Sequence, residues 1–352
     1  MTVTTAASPL VALALALVPL VPGIAAADSS ATAQIELNQA GADLAAELGL
    51  DVAGFQQRLA ERVQEALGVA AVGAFLRSFS NATSFSNRGL GVDYASNSER
   101  GILGIGANLA LAADLDGELP SAGAAANATV MAGLNLRRWS HPELTVFGNA
   151  FYRSASSDHL RGSIATAGAH LQYKLVTPTR GRERVVIQWG GLDVTTGVEV
   201  AHWSYGLRGD LSTAFEVGGD AGSGSTSIEA ATAGHVALSA TTVTVPIELT
   251  TNVRLLYLAS LYLGLGLDAQ VGASSLDLGV AGSLTGTRPD TGAVETIGAI
   301  TVTGTGSKGP TFAGYHALLG LQANLWRLKL FAQATLQPIE KASLALGVRV
   351  VL

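Results

Sequence analysis

Cysteine is absent from the 352-residue chain. That excludes disulfide staples and thiolate metal sites, and it suits a polypeptide that crosses an oxidising compartment. Charge is scarce too: Asp, Glu, Lys and Arg make up 14% of residues, whereas a soluble surface carries about a quarter or more. The 21 basic and 27 acidic residues give a net charge of −6 with no concentrated basic stripe, which argues against nucleic acid as a partner. Aromatics are only 6%, thin for an interfacial girdle. Beyond the first 27 residues no stretch reaches the roughly 18 apolar residues of a spanning helix. The oiliest, Leu255–Leu267, would rise only about 20 Å as a helix. A membrane is not thereby excluded, because a closed barrel satisfies its backbone between strands and lets each segment be half polar.

What the chain does have is alternation. Between Phe312 and Leu352, Tyr315, Ala317, Leu319, Leu321 and Leu325 alternate with His316, Gln322 and Asn324. After Trp326 the phase switches: Leu328, Leu330, Ala332, Ala334 and Leu336 oppose Arg327, Lys329, Gln333 and Thr335. Leu344, Leu346, Val348, Val350 and Leu352 form a last oily face opposite Ser343, Gly347 and Arg349. Period two means strands with two unlike faces. Runs of about 11–14 residues are twice the usual soluble length and enough to cross a bilayer when tilted. The expected fold is all-β: an antiparallel up-and-down transmembrane barrel of a bacterial outer membrane, with 12 strands as the best number and about 10–14 possible.

The N-terminal third reads differently. Residues 1–27 have the form of a secretory signal, with an apolar Leu10–Leu20 and a small-residue Ala25-Ala26-Ala27 before Asp28, although Met1–Pro9 lacks the usual Lys or Arg. Residues 28–100 are expected to hold a flexible leader, an amphipathic helix and a connector, placed in the periplasm or in the lumen as a plug. Within 36–67, Leu37, Leu44 and Leu48 precede Gly49, Asp51 is the expected N-cap, and Phe55, Leu59, Val63 and Leu67 form one stripe. Helix 51–67 could also dock a periplasmic partner. Asn87–Tyr94 is a polar connector punctuated by Gly89 and Gly91.

Residues 101–352 form the expected barrel. Strand candidates start at Ile102, Ala128, Leu144, Ser163, Val185, Tyr205, Val243 and Leu255. A change of phase at Gly190-Gly191 predicts a bulge or tight turn. Short turns are expected at Ser140–Glu143, Thr251-Asn252 and Trp326. Longer loops are expected at 113–127, 154–162, 218–227 and 282–310, and the zones 204–240 and 272–310 could each hide a hairpin. Trp139, Tyr152, Trp203, Tyr205, Tyr257 and Trp326 fall near strand ends, as interfacial rings should.

The last strand resembles the terminal signal read by the assembly machinery of bacterial outer-membrane proteins. Gly347, Val350 and Leu352 match its spacing, while Leu352 stands where that class ends in an aromatic and Ala345 where it has a polar residue. The resemblance covers about ten residues. It implies an outer-membrane address, contact with the assembly machinery, and outer-membrane lipid and lipopolysaccharide as surroundings.

No catalytic chemistry stands out. Gly304-Thr305-Gly306-Ser307-Lys308-Gly309 fits a dinucleotide-binding string, but Pro310 and a strand follow where a helix is required, so the string reads as a loop. The six histidines show no metal-ligand spacing, and no G-x-S-x-G occurs. No cofactor, metal or catalytic residue is assigned. The candidate lumen lining is the polar face: Arg137, Asn149, Arg153, His170, Gln172, Lys174, Arg208, Glu216, Glu248, Gln322, Arg327, Lys329 and Arg349, whose basic excess suggests a mild preference for anions. Three functions remain open: a pore or transport protein for small solutes, a non-conducting structural or surface-interaction barrel working through its outer loops, and an outer-membrane lipid-modifying enzyme. The sequence does not specify the oligomeric state.

Overall fold

The two-residue periodicity becomes twelve antiparallel strands in one sheet, in a computed structural model describing residues 30–66, 72–96, 100–114, 121–177, 186–219 and 225–352. They are β1 (Ser30–Leu37), β2 (Gly101–Asp114), β3 (Ser121–Asn135), β4 (Leu144–Ser156), β5 (Leu160–Val176), β6 (Ile187–Gly218), β7 (Ser225–Leu255), β8 (Ala259–Thr287), β9 (Val294–Lys308), β10 (Ala313–Leu325), β11 (Leu328–Gln337) and β12 (Lys341–Val351). Among the described residues three helices precede the barrel: α1 (Gln39–Glu47), α2 (Val52–Ala66) and α3 (Val72–Phe85). The expected signal at 1–27 lies outside the described residues.

Ten of the strands close a ring. β2 to β8 follow one another in order; the first part of β8 pairs with β10, from Ala259↔Ala323 to Ala269↔Ala313. β10, β11 and β12 continue, and β12 returns to β2 through Val350↔Leu103 and Lys341↔Ala112. The remaining two strands do not enter the ring. β6, β7 and β8 are 32, 31 and 29 residues long and outrun their neighbours: the β5–β6 ladder ends at Leu160↔Leu207. Beyond that rim β8 pairs with β9, from Ser274↔Lys308 to Thr287↔Val294, and β9 pairs with β1. The result is a five-stranded lobe standing on one rim.

Helices α1 and α2 cover the lobe. Asn38 caps α1 by accepting from Gly41 N at 3.0 Å, and Asp51 caps α2 by accepting from Gly54 N at 2.8 Å, as its position predicted. Their stripes, Leu44, Leu48, Phe55, Leu59 and Val63, are buried against Ile228, Leu284, Ile297, Ile300 and Val302 of the sheet. The described part of 36–67 therefore packs on the lobe rather than filling the ring. Phe55, Leu59 and Val63, the described part of the stripe expected on helix 51–67, are spent on this sheet.

In the ring the faces follow the alternation. Along β10, Tyr315, Leu319, Leu321 and Leu325 point outward and are exposed, while His316, Leu318, Gln322 and Asn324 are buried inside. So large an exposed apolar belt is stable only against hydrocarbon. The fold is that of an outer-membrane β-barrel, with ten strands in the ring rather than the preferred 12. Of the expected girdle rings, Trp139, Tyr152, Tyr205, Tyr257 and Trp326 are exposed, but Trp203 turns inward and meets Phe79 edge-on at 6.3 Å.

Four other expectations are corrected. Residues 30–35 of the expected leader lie in strand β1, recruited because β9 offers an open edge. The turn expected at Thr251-Asn252 lies at Leu256–Leu258, where Leu256 and Tyr257 have φ of 49° and 60°; primed turns favour Gly or Asn at such positions, so these residues gave no turn signal. Loop 282–310 is the β8–β9 hairpin of the lobe. The Gly304–Lys308 string is part of β9 rather than a loop. At Gly190-Gly191 the β6–β7 register does shift between Trp189 and Leu192, which is the expected bulge.

Candidate functional site: the lumen and its plug

The polar connector expected at Asn87–Tyr94 enters the ring. Helix α3 descends from the lobe side, and every residue from Ser78 to Ser96 is buried. Gly89 makes the close approach possible: its φ is 77°, and an added Cβ would fall 2.8 Å from Gln333 Cδ on the wall. A lumen plug was one of the two placements expected for 28–100, but the sequence did not single out 78–96, because neither its helical half nor its Gly-punctuated half shows a regular apolar face.

The wall meets the plug with charge. β6, β7 and β8 each turn one acid inward at mid-lumen, Glu199, Glu248 and Asp268, and Arg88 of the plug reaches all three. Its Nη2 is 2.6 Å from Asp268 Oδ1, and its Nη1 is 3.6 Å from Glu248 and 3.7 Å from Glu199. His316 of β10 bridges two of the acids, with Nδ1 2.9 Å from Asp268 and Nε2 3.2 Å from Glu248. Tyr94 donates to Glu248 Oε2 at 2.5 Å, and His170 lies 3.8 Å from Glu199. All of these side chains are buried. Phe85 adds an apolar face to the cluster, meeting His316 edge-on and lying 5.8 Å beneath the Arg88 guanidinium.

A second tie forms nearer the other rim. Arg349 of β12 donates to Asp93 Oδ1 at 3.2 Å and to the carbonyls of Gly89 and Val92 at 3.3 and 2.7 Å, with its guanidinium 3.7 Å over Phe331. Asp93 also accepts from the backbone N–H of Ala95 and Ser96, which fixes the end of the plug. Asn108 donates to Arg88 O at 2.5 Å, and Asn252 to Tyr94 O at 2.9 Å. Below Asp93 and Ser96 a blind vestibule of about 640 Å³ opens, walled by Gln172, Lys174, Asp193 and Arg254.

The expected lumen residues divide by height. Asn149, His170, Gln172, Lys174, Glu248, Gln322 and Arg349 do face the lumen. Gln172 donates to Asp93 O, Lys174 pairs with Asp193 at 2.9 Å, and Gln322 donates to Ser96 Oγ at 3.0 Å. Arg137 and Lys329 stand at the mouth. Arg153 is exposed at the rim end of β4, and Arg327 lies in the β10–β11 turn, stacked 5.0 Å over Trp326. Arg208 and Glu216 lie beyond Leu207, exposed on the lobe rather than lining a channel. The basic lining inferred from the sequence is corrected: at mid-lumen the wall is acidic and the cation comes from the plug. Glu199, Asp268, Asp193 and Arg88 were missed; only their polar positions opposite oily ones signalled the wall acids. Of the residues of the expected assembly signal, Val350 and Leu352 face outward. Gly347 has a structural reason as well, since a Cβ there would fall 2.4 Å from Phe331.

A model described as Lsa36-like matches residues 30–352. No curated protein matches the chain. Among solved structures, the Pseudomonas putida toluene transporter TodX aligns at 12% identity over 75% of this chain and 96% of its own, with a TM-score of 0.25. Ail, the attachment invasion locus protein of Yersinia pestis, aligns at 13% over 71% and 98%, with a TM-score of 0.23. The translocator domain of the autotransporter NalP from Neisseria meningitidis aligns at 9% over 82% and 98%, with a TM-score of 0.29. Likeness at this level transfers no function.

Proposed function

We propose that this chain, which belongs to the Lsa36-like family, is a self-plugged outer-membrane barrel that conducts nothing as folded and acts through the lobe it carries outside the membrane. One observation carries this reading: Arg88, on a segment buried from Ser78 to Ser96, is held by Glu199, Glu248 and Asp268 at the centre of the lumen. A side chain tied to three strands of the wall is a fixed filling. In small barrels the interior is filled and the work falls to the exposed ends. The lobe belongs to the cell exterior, because barrels of this class keep short turns at the periplasm and long excursions outside; the turns at Leu256 and Trp326 are on the opposite rim.

The test is current through the purified protein in a planar bilayer. Wild type should give no stepwise conductance, and a variant lacking residues 72–96 should give steps. Stepwise current from wild type would overturn the reading and restore the pore. Protease added to intact cells should cleave lobe segments before any turn of the other rim.

A further inference from the structure

Four cations converge on the rim opposite the lobe, where the plug ends. Arg100 just before β2, Arg254 near the end of β7, Arg327 in the β10–β11 turn and Lys329 at the start of β11 line one recess of about 450 Å³ together with Ser96 and Trp326. Among the described residues no Asp or Glu side chain lines it, and none of the four cations forms an ion pair with one. Arg254 reaches only the Ser96 carbonyl, at 3.4 Å, and Arg327 only the Trp326 ring. Asp93, which lines the neighbouring vestibule with Arg254, is already engaged: it pairs with Arg349, which stands directly opposite Lys329 across the β11–β12 ladder. Like charges directly opposite each other on a sheet are destabilising. A chain of net charge −6 with 21 basic residues has thus placed four of them around one opening that no Asp or Glu lines among the described residues.

We propose that this recess binds a phosphate group, that of an anionic phospholipid headgroup in the adjoining leaflet. Guanidinium forks match phosphate oxygens in pairs, and basic pockets at this depth recognise anionic headgroups. The recess opens beside Trp326, which is 84% exposed, and Leu352, which is 55% exposed. An indole at headgroup level and the oily belt behind it place acyl chains next to the bound phosphate. The site goes beyond the closed-barrel reading and does not depend on it.

Native mass spectrometry of the detergent-extracted protein tests this, with dioleoylphosphatidylglycerol and dioleoylphosphatidylcholine offered in equal amounts. Wild type should retain the anionic lipid about tenfold over the zwitterionic one. The variant Arg100→Gln/Arg254→Gln/Arg327→Gln/Lys329→Gln should lose that preference, as should Arg327→Gln/Lys329→Gln, which alters only the turn and the strand start; folding of each is checked by its mobility before and after boiling. Equal retention of the two lipids by wild type, or a preference unchanged in both variants, would overturn the proposal. Binding of inorganic phosphate alone by wild type, without lipid preference, would refute the headgroup assignment and leave a site for a free anion. Displacement of the lipid by poly-glutamate but not by phosphate would point to an acidic protein partner and refute it too.

Discussion

The lobe and the ring share strands β6 to β8, yet their interiors are opposites. In the lobe the inward face of β7 carries Ile228 and Ala230, packed under Leu44, Leu48 and Phe55. Further along the same strand and on the same face come Thr242, Thr244, Glu248, Thr250 and Asn252, all buried around a polar plug. The outward face inverts at the same height. Ser227, Glu229 and His235 on the lobe give way to Val243, Ile247 and Leu249 on the ring. Register is continuous through the change, from Ile228↔Gly286 to Leu255↔Ala259. The solvent outside decides which residues the inside must take. Water outside the lobe drives apolar side chains inward, whereas hydrocarbon outside the ring takes the apolar face and leaves the polar face for the lumen. The two cores cohere by different means: oily packing is non-directional, while the lumen depends on pairing each buried charge.

This contrast can be broken at either core. The largest effect is expected at Arg88→Ala, which removes the plug cation that Glu199, Glu248 and Asp268 share. Losing one partner of a buried ionic cluster costs about 3–5 kcal/mol. Stepwise current in a planar bilayer should appear as the plug loosens, with the lobe still resistant to protease. Phe55→Ala should do the reverse. A buried Phe truncated to Ala costs about 3–5 kcal/mol, so the lobe should become protease-sensitive while boiled and unboiled samples still migrate differently.

The inversion of the outer face can be sharpened with one substitution on each side of the rim. Leu265→Arg on the ring should cost about 2–4 kcal/mol at mid-bilayer and lower the refolding yield in lipid. Ser227→Arg, an exposed outward position on the lobe, should stay within about 0.5 kcal/mol. Equal penalties would mean that one environment wets both faces. The smallest effect concerns a turn: Ile339 has φ of 71°, a conformation that costs a side chain about 1–2 kcal/mol. Ile339→Gly should raise the unfolding midpoint slightly, measured by urea titration of the tryptophan signal.

The ring was legible because hydrocarbon imposes a strict rule, so β10 to β12 could be read residue by residue from Tyr315 to Leu352. The capped helix α2 was legible because Asp51 and the Phe55–Val63 stripe are local signals. The lobe was not legible, since β1 and β9 are strands only by virtue of partners far away in sequence. Which part of 28–100 fills the lumen was not legible either: Arg88 and Asp93 sit in a Gly-rich stretch whose role is set by charged partners 111 to 256 residues distant, and no local periodicity encodes that meeting. The tight turns at Leu256-Tyr257 and Ile339 hid because the residues with positive φ are not glycine.

Because the chain has no native cysteine, a single introduced thiol reports on its own site. Ser84→Cys places it in the plug, where Ser84 is 2% exposed and bonded to Gln270 at 2.9 Å; Ser225→Cys places it on the exposed lobe. Treated with a membrane-impermeant maleimide, folded Ser225→Cys protein should label at once and Ser84→Cys only after denaturation. Equal labelling of the two folded proteins would contradict a lumen filled by the protein's own chain.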